Sequence, residues 1–381
     1  MRNPGSGPAA RPAGYADDVK QHQLNLLALG AIGSAARGYR VQPAPGHGHG
    51  PGVLTIAPPL RDSGYELLAR PGYPADSLLT SAAVSAALAH GVPSPLLVST
   101  TRFRAPFPPF LRYALLARFI QRKSTILFNG EKIRLGSDPL LAAPGELRPT
   151  AIQPTGYYDT LVTNDALRLD VTARDGRTVF SGADYCFPAG LIPDCRHSRC
   201  ANQFGTTTLA LTSDDYFVIA GQGTGNAIHP GKWTAPGSGS ADWADTRGVT
   251  DLQDLIRAAA VRELAEETGL PLDAIAWIKV IGFGRFTERG GLPQFFFLAR
   301  LRRSLAGLRI TRSERSLVDY HAQLHFGPHP PFRASVAAVR AELLRNNARV
   351  SSSLWWCTEL LSRLAEQDLS DLLVGQAERT A

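Results

Sequence analysis

The chain has 381 residues, more than one ordinary domain requires, and we expect two domains with an irregular leader. Hydrophobic residues make up 44% and charged residues 19%, a composition that excludes wholesale disorder. The net charge of +7 favours anionic partners such as nucleotides, nucleic acids or anionic lipids, although many proteins carry such a charge without one. Four cysteines are too few and too dispersed for a disulfide framework.

Residues 1–60 are interpreted as a leader rich in Gly and Pro, with one predicted helix at residues 19–37. The first thirty residues lack a charged segment followed by an apolar one, so we expect no secretory signal. Apolar stretches also stay well short of the roughly 20 residues that a membrane-spanning helix needs. These features predict a cytoplasmic protein.

Residues 61–200 predict an N-terminal α+β region of unknown function. Residues 76–90 are good helix formers between Asp76 and Gly91, which predicts a helix. Residues 102–123 are basic and aromatic and could contact a membrane or nucleic acid, but we favour an amphipathic helix packed on the protein. Short alternating runs at residues 124–184 predict a β-rich unit with a hairpin around Asp175.

Cys186, Cys195, His197 and Cys200 are of the residue types that bind zinc, and together they could supply four ligands. Their spacing matches no common zinc pattern well. Ordinary loop or core cysteines are therefore the favoured interpretation.

The second half of the chain has more regular patterns. The predicted elements are a hairpin at residues 206–222 with residues 213–215 at its tip, a helix at 250–268, strands at 276–286 and 294–301, and helices at 332–345 and 352–366.

The predicted helix at residues 250–268 carries the strongest chemical signal. Glu263, Glu266 and Glu267 crowd into one turn, where like charges repel each other and need compensation. Arg262 can bridge these carboxylates, and a hard divalent cation such as Mg²⁺ or Mn²⁺ would compensate their charge further. Taken alone, these residues also fit a solvated acidic helix face.

The wider spacing closely resembles the Nudix box of the Nudix hydrolases. The matching positions are Gly248, Asp254, Arg262, Glu263, Leu264, Glu266, Glu267, Gly269 and Leu270. Every fixed position agrees except Asp254, where the family usually has Glu. The resemblance covers roughly residues 202–345. It implies an α/β fold class, with a Nudix-type α/β/α sandwich over these residues. The N-terminal α+β region precedes the sandwich, and we expect a C-terminal helical extension at residues 346–381 to follow it.

The resemblance also implies roles for individual residues. Glu263, Glu266 and Glu267 would bind Mg²⁺ or Mn²⁺, Arg262 would orient these glutamates, and Asp254 would support Arg262. A backbone carbonyl of the preceding loop would complete the metal site. Gly248 matches this position by count. The family's glycine loop itself resembles residues 236–239, which would make Gly237 or Gly239 the donor and residues 240–247 an insertion.

The implied activity is hydrolysis of the pyrophosphate linkage in a nucleoside diphosphate linked to another moiety. A general base is needed beside the attacking water. Glu314 and Glu288 are the candidates. Lys232 and Arg285 could bind phosphate, while Trp233 could stack on a base or belong to the core.

The alternative function is a Nudix-like module that senses a nucleotide without turnover. A nucleotide-type small molecule is the expected partner, and nucleic acid is suggested only by charge. The sequence specifies neither the substrate nor the oligomeric state.

Overall fold

A computed structural model describes residues 38–44, 54–120, 129–222, 231–308, 320–326, 331–364 and 369. Its strands are β1 (Tyr39–Pro43), β2 (Thr55–Ile56), β3 (Glu66–Arg70), β4 (Tyr73–Thr80), β5 (Leu96–Val98), β6 (Glu131–Leu135), β7 (Leu141–Ala143), β8 (Glu146–Leu147), β9 (Thr150–Gly156), β10 (Leu169–Ala173), β11 (Thr178–Ser181), β12 (Leu191–Ile192), β13 (Gly205–Leu211), β14 (Phe217–Gln222), β15 (Trp233–Thr234), β16 (Gly237–Ser240), β17 (Ile275–Phe286), β18 (Leu292–Leu301) and β19 (Tyr320–Phe326). Its α-helices are α1 (Pro58–Asp62), α2 (Ala82–Ala89), α3 (Pro109–Ile120), α4 (Tyr157–Val162), α5 (Gly182–Cys186), α6 (Leu252–Thr268), α7 (Phe332–Arg345) and α8 (Ser352–Arg363).

A mixed nine-stranded sheet organises the second half of the chain. Its main path runs β15-β14-β13-β18-β17-β4-β3, with β16 also paired to β13 and β19 to β14. The central strands β13 and β18 are parallel, with Thr206 opposite Phe295, whereas β17 and β18 are antiparallel. The hairpin of β13 and β14, and the two long strands that follow α6, confirm the sequence predictions for residues 206–222, 276–286 and 294–301.

Helices cover both faces of this sheet, so the fold is mixed α/β. Alternate side chains of a strand point to opposite faces. Along β18, Phe295 and Phe297 therefore join the core beneath α2 and α6, while Phe296 and Leu298 join the core beneath α7 and α8. This arrangement explains why residues 295–299 are a continuous apolar run rather than an alternating one.

Helix α6 forms as its sequence predicts. The side chain of Asp251 caps the first turn by accepting from the amide of Gln253, and Gly269 ends the helix with a left-handed φ of 67°. Six apolar side chains at spacings of three and four are fully buried against the sheet: Leu252, Leu255, Ile256, Ala259, Ala260 and Leu264.

One helix boundary differs from the prediction. Residues 76–80 belong to strand β4, and helix α2 begins after Ser81, whose hydroxyl accepts from the amide of Val84. The reason is long-range pairing, because β4 lies against the end of β17, with Thr80 opposite Gly284. Asp76 is consequently a buried strand residue rather than a helix cap.

The first two hundred residues contribute to the same sheet and core. Strands β3 and β4 extend the sheet, and Leu79, Ile133 and Ile152 share one buried cluster with Leu255 of α6. Smaller sheets stand beside it, formed by β1-β10-β11, β5-β9-β6, β2 with β12 and β7 with β8. The division at about residue 200 stays a prediction. The hairpin predicted around Asp175 is present as β10 and β11.

The basic segment at residues 102–123 contains helix α3. Leu111, Leu115 and Leu116 of this helix are buried, and Arg112 is paired with Asp159 at 2.6 Å. The described part of the segment therefore packs on the protein. The helix predicted at residues 19–37 lies outside the described residues. No described helix is long and apolar enough to cross a membrane.

Candidate active site

The acidic turn of α6 lies directly against the glycine-rich strand β16. A β-carbon added to Gly237 would lie 2.9 Å from the Cα atom of Leu264, and one added to Gly239 would lie 1.9 Å from Glu263 Oε2. Both contacts are shorter than real β-carbons tolerate, so the strand approaches the helix this closely because these positions are glycine. The backbone of β16 is thereby placed beside the carboxylate of Glu263.

Arg262 bridges the carboxylates of this turn. Its Nη1 donates to Glu263 Oε1 and to Glu266 Oε2, each at 2.9 Å. Its Nε and Nη2 donate to the two oxygens of Asp245, also at 2.9 Å. Burial alone would lower the pKa of Arg262, but the hydrogen bond to Asp245 and the surrounding carboxylates raise it instead. Arg262 is therefore a permanent cation held in a fixed position.

The partner of Arg262 comes from residues 240–247, the expected insertion before the helix. Residues Trp243–Thr246 form a 3₁₀ turn with a capping box, in which Asp242 and Asp245 each accept from the other's backbone amide. Asp254, which was expected to support Arg262, is exposed on α6. Its side chain makes no hydrogen bond or ion pair with another described residue, whereas Asp245 is paired with Arg262. Asp245 has the role expected of Asp254. The D-x-x-D spacing was the sequence signal for this capping turn.

Glu263 is almost fully buried. Burial raises the pKa of Glu263 to about 7, although the positive charges of Arg262 and Lys132 act to lower it. Lys132 is paired with Asp242 and reaches this cluster from β6. The acidic cluster, defined as Asp242, Asp245, Glu263, Glu266 and Glu267, thus has five carboxylates near the two cations Arg262 and Lys132.

The donor set fits a hard divalent cation. Carboxylate oxygens and the backbone of β16 are the ligand types that Mg²⁺ and Mn²⁺ prefer, and the surplus of carboxylates over cations leaves negative charge for a metal to neutralise. The side chains are nevertheless not gathered for binding, because Glu267 Oε2 accepts from the amide of Ser238 at 2.7 Å while Arg262 holds Glu263 and Glu266. Within the described ranges, no three His, Cys, Asp or Glu side chains converge as a metal site.

A cavity of about 170 Å³ opens next to this cluster, where β13 and β18 begin and β17 ends. We call it the sheet-end cavity. Its lining includes Gly239, Gln203, Gln294, Glu288 and Ser352. Gly239 adjoins Glu263, the amide of Ser238 donates to Glu267, and the carbonyl of Ser240 accepts from Arg262, so the cavity and the acidic cluster share these three residues of β16.

Glu288 lies in the 3₁₀ turn Thr287–Arg289, and its side chain is 16% exposed. Burial raises the pKa of Glu288, and the negative charge of Asp76 raises it further. Between these carboxyl groups stands Ser352 of α8, whose hydroxyl lies 2.9 Å from Asp76 Oδ2 and also contacts Glu288 Oε1. Sequence reasoning missed Asp76 and Ser352, which are 276 positions apart in the chain.

The structure removes Arg285 from the list of phosphate ligands. Its side chain is 1% exposed and lies 3.3 Å from Asp138 Oδ1, and it also donates to the carbonyls of Pro193 and Gly291. A buried guanidinium with these partners cannot reach a phosphate. It fixes the turn that carries Glu288.

The other predicted site residues have diverse positions. Lys232 is half-buried beside β15, and Trp233 packs at the edge of the core beneath α8. Gly248 is exposed, has a φ of 72° and lies in a turn before α6, with no atom within 4 Å of an added β-carbon. Gly237 and Gly239, not Gly248, therefore contact the acidic helix. Glu314 lies outside the described residues.

The four candidate zinc ligands are not brought together. The Sγ atoms of Cys186 and Cys200 are 3.7 Å apart, whereas Cys195 faces Asp138 and the His197 ring contacts Asp194. All the cysteines are buried and carry free thiols, as expected for core residues.

No protein-family model and no curated protein matches this sequence. Among solved structures, a MutT protein from Methanosarcina mazei is 12% identical, with 41% of this chain and 90% of that chain covered and a TM-score of 0.25. A protein from Deinococcus radiodurans is 19% identical, with 38% and 82% covered and a TM-score of 0.24. TM-scores this low do not define a shared fold, so the functional proposals rest on the residues of this chain.

Proposed function

We propose that this protein hydrolyses the pyrophosphate linkage of a nucleoside diphosphate linked to another moiety, in a reaction that requires Mg²⁺ or Mn²⁺. The observation that carries the proposal is the acidic cluster itself, in which five carboxylates meet two cations beside a cavity. The carboxylates outnumber the cations, and this excess of negative charge is unfavourable in a partly buried site unless a further cation balances it. The Nudix-box spacing of Arg262, Glu263, Glu266 and Glu267 supports the same chemistry.

Glu263, Glu266 and Glu267 are the side chains that would hold the cation, with a carbonyl of Gly237 or Gly239 as a further donor. When bound, the cation supplies charge neutralisation for the diphosphate and makes a water molecule more acidic. Glu266 is the carboxylate best able to reorient, because its side chain is 36% exposed, whereas that of Glu263 is 10% exposed. Binding would require Glu267 to leave the amide of Ser238.

The remaining residues orient the site and transfer the proton. Arg262, held by Asp245, keeps Glu263 in place beside β16. Lys232 remains the proposed contact for a substrate phosphate; it is half-buried, and Thr234, two residues further along, lines the sheet-end cavity. Trp233 is partly buried against the core beneath α8, and its stacking on a base stays a prediction. Glu314 is kept as a proposed general base, with Glu288 as the alternative within the described residues.

Hydrolysis would release a nucleoside monophosphate and a phosphorylated remainder, or pyrophosphate if the substrate is a triphosphate. The test is formation of the nucleoside monophosphate, followed by chromatography, from a panel of nucleotide-sugars, dinucleotides and nucleoside triphosphates, with Mg²⁺ and with Mn²⁺. We expect Glu266→Gln and Glu267→Gln to lower kcat by at least about 100-fold, because each removes charge at the metal. The matched control is Asp273→Asn, which removes an exposed carboxylate just beyond α6. Turnover by both glutamine variants at the wild-type rate would refute the proposal.

One observation favours the second candidate function, a nucleotide-sensing module without turnover. Arg262 holds two of the three expected ligands, so the described structure has no assembled metal site. Saturable nucleotide binding in Mg²⁺ without formation of a nucleoside monophosphate would support the sensing module. Turnover that stops on addition of EDTA would exclude it.

A further inference from the structure

Among the described residues that line the sheet-end cavity, no lysine or arginine is left without an acidic partner. Arg289 is the cation among its described lining residues, and this guanidinium makes a two-point ion pair with Asp165, at 2.7 and 2.9 Å. The other described ionisable groups at the wall are acids whose pKa values burial raises: the carboxyl of Glu288, and the phenol of Tyr157, which is raised to about 12. A phosphate group would therefore meet a neutralised arginine and a carboxyl group, which is an unfavourable environment for an anion.

Two glutamine amides give the cavity hydrogen-bonding capacity. The Nε2 of Gln294 donates to Thr207 Oγ1 at 2.7 Å, and this fixes the amide so that its Oε1 lies over Gly205, a cavity residue. Gln203 is 4% exposed, and its Oε1 accepts no hydrogen bond. An unsatisfied buried amide costs about 1–3 kcal/mol, so a partner in the cavity would relieve an existing penalty.

The third polar group, Glu288, shares a hydroxyl donor with Asp76, and its ion pair with Arg168 is long, at 4.0 Å. The hydroxyl of Ser352 contacts both Asp76 and Glu288 but has one hydrogen to donate. Asp76 has further donors of its own, because Arg70 and the indole of Trp356 also donate to it at 2.8 Å. Glu288 therefore either carries a proton itself or needs a donor supplied from the cavity.

We propose that the sheet-end cavity binds the uncharged, hydrogen-bond-donating part of the substrate, a ring that carries amino or hydroxyl groups. The acceptors are Glu288, Gln294 Oε1 and the amide of Gln203. This assignment rests on the proposed function, because it leaves the diphosphate outside the cavity, at the acidic cluster beyond Gly239. Tyr157 and Phe286 also line the cavity, and their aromatic side chains add apolar contact for a ring-shaped ligand.

The test measures binding of phosphate-free probes in EDTA, so that it does not depend on metal or turnover. Calorimetry or ligand-observed NMR would compare adenosine, purine riboside (which lacks the exocyclic amine) and D-ribose, with inorganic phosphate as the anionic probe. We expect at least one nucleoside to bind saturably and phosphate not to compete with it. Weaker binding of purine riboside than of adenosine would identify the amino group as the donor. Equal binding of both nucleosides, together with binding of ribose, would identify the sugar hydroxyls.

Two variants test the acceptors. Gln203→Leu and Glu288→Gln should each weaken nucleoside binding at least tenfold, whereas Gln42→Leu, on β1 of a separate sheet, should not change it. Because Gln203 has an unsatisfied buried oxygen, Gln203→Leu should leave the free energy of unfolding unchanged or increase it. Weaker binding together with undiminished stability distinguishes a lost ligand contact from a damaged fold.

The outcomes separate this inference from the proposed function. Nucleoside binding that depends on Gln203 and Glu288, without any metal-dependent hydrolysis, keeps the cavity assignment and overturns the hydrolase. Hydrolysis with the same KM in wild type and both variants keeps the hydrolase and overturns the cavity assignment. Competition by phosphate, or absence of saturable binding by any nucleoside or by ribose, overturns the assignment as well and leaves only water in the cavity.

Discussion

Glu263 of α6 and Glu288 of the turn after β17 are both carboxyl groups with little exposure, but the charged side chains around them differ. The cations Arg262 and Lys132 act on Glu263, and burial nevertheless raises its pKa to about 7. The second-largest influence on Glu288, after burial, is the negative charge of Asp76. The cations near Glu288 are less effective, since Arg289 is paired with Asp165 and Arg168 is 4.0 Å away. Cations therefore oppose the rise in the pKa of Glu263, whereas a second carboxyl group adds to the rise in the pKa of Glu288.

The backbone around the two groups differs in the same way. Glu263 extends from a long helix onto a glycine strand, so its position follows from local geometry. Glu288 lies in a short turn that depends on distant partners, because Arg285 and Asn164 donate to the carbonyls of Gly291 and Gly290. We therefore expect the turn of Glu288 to be the region more sensitive to changes in the core.

The largest effect on stability is expected for Arg285→Ala. The substitution leaves Asp138 buried without its ion-pair partner and frees the carbonyls of Pro193 and Gly291. We expect a loss of about 3–5 kcal/mol in the free energy of unfolding, measured by urea denaturation. The control Arg257→Ala removes an exposed arginine of α6 and should stay within about 0.5 kcal/mol of wild type. If Arg285→Ala were equally neutral, Arg285 would not anchor the turn.

The second prediction concerns the pH dependence that Glu263 contributes. Its pKa is raised from 4.5 to about 7 in the folded state, so the folded state binds the extra proton between these values. Stability from this group is therefore fully present below pH 4.5 and is lost as the pH rises to about 7. Glu263→Gln mimics the neutral carboxyl group. We expect it to match wild type near pH 4.5 and to exceed it by an amount on the order of 3 kcal/mol above pH 7, in EDTA.

Urea denaturation at a series of pH values would measure this difference. Subtracting the curve of Glu263→Gln from that of wild type removes the contributions of all other titrating groups. A difference that stays constant between pH 4.5 and 7, or that has the opposite sign, would show that Glu263 is ionised throughout. The comparison with Glu288 would then lose its basis.

The third prediction tests which glycine adjoins the acidic cluster. In Gly239→Ala, the new methyl group would lie 1.9 Å from Glu263 Oε2, so the carboxylate must move. The end of the Glu263 side chain can move without a large loss of stability. Its movement would displace one of the proposed metal ligands. We expect hydrolysis to fall by roughly 100-fold, equivalent to about 2.7 kcal/mol in activation free energy, with a stability change below about 1 kcal/mol.

Gly248→Ala is the matched variant, because Gly248 is the metal donor suggested by residue count. Its φ of 72° strains an alanine by roughly 1–2 kcal/mol, but an added β-carbon there meets no atom within 4 Å. Stability should fall while kcat stays near wild type. A loss of activity in Gly248→Ala with an active Gly239→Ala would reverse the assignment.

How much of the fold could be predicted depended on whether the signal was local. The caps and apolar stripe of helix α6 lie between Asp251 and Gly269, and strands β17 and β18 are rich in β-branched and aromatic residues, so these elements were predictable. Residues 76–80 are instead part of strand β4, in which Leu78, Leu79 and Thr80 pair with residues 284–286 of β17. Pairing between segments two hundred positions apart overrides helix propensity and leaves no local mark in the sequence.

The site divides in the same way. Arg262 and the glutamates of α6 lie within one helical turn, and their spacing alone places them together. The sheet-end cavity is built from Gln203, Glu288 and Ser352, which come from three distant segments. Arg285 was misassigned for the related reason that an arginine near the end of a strand has the same sequence pattern whether it faces a ligand or a buried aspartate such as Asp138.

The smallest predicted effect separates Asp245 from Asp254 as the support of Arg262. Asp245 accepts two hydrogen bonds from Arg262, at 2.9 Å each, and it also caps its own 3₁₀ turn. Asp245→Asn keeps the shape but loses the charge, and we expect a cost of about 1–2 kcal/mol in stability, together with a kcat reduced by about tenfold as Arg262 shifts. Asp254→Asn, exposed on the same helix as Arg262, should change stability by less than about 0.5 kcal/mol and leave kcat unaltered. Measured side by side by denaturation and steady-state kinetics, the reverse ranking would restore Asp254 to the role that its spacing suggested. The expected ranking would instead mean that this chain supports its central arginine from the turn preceding the helix.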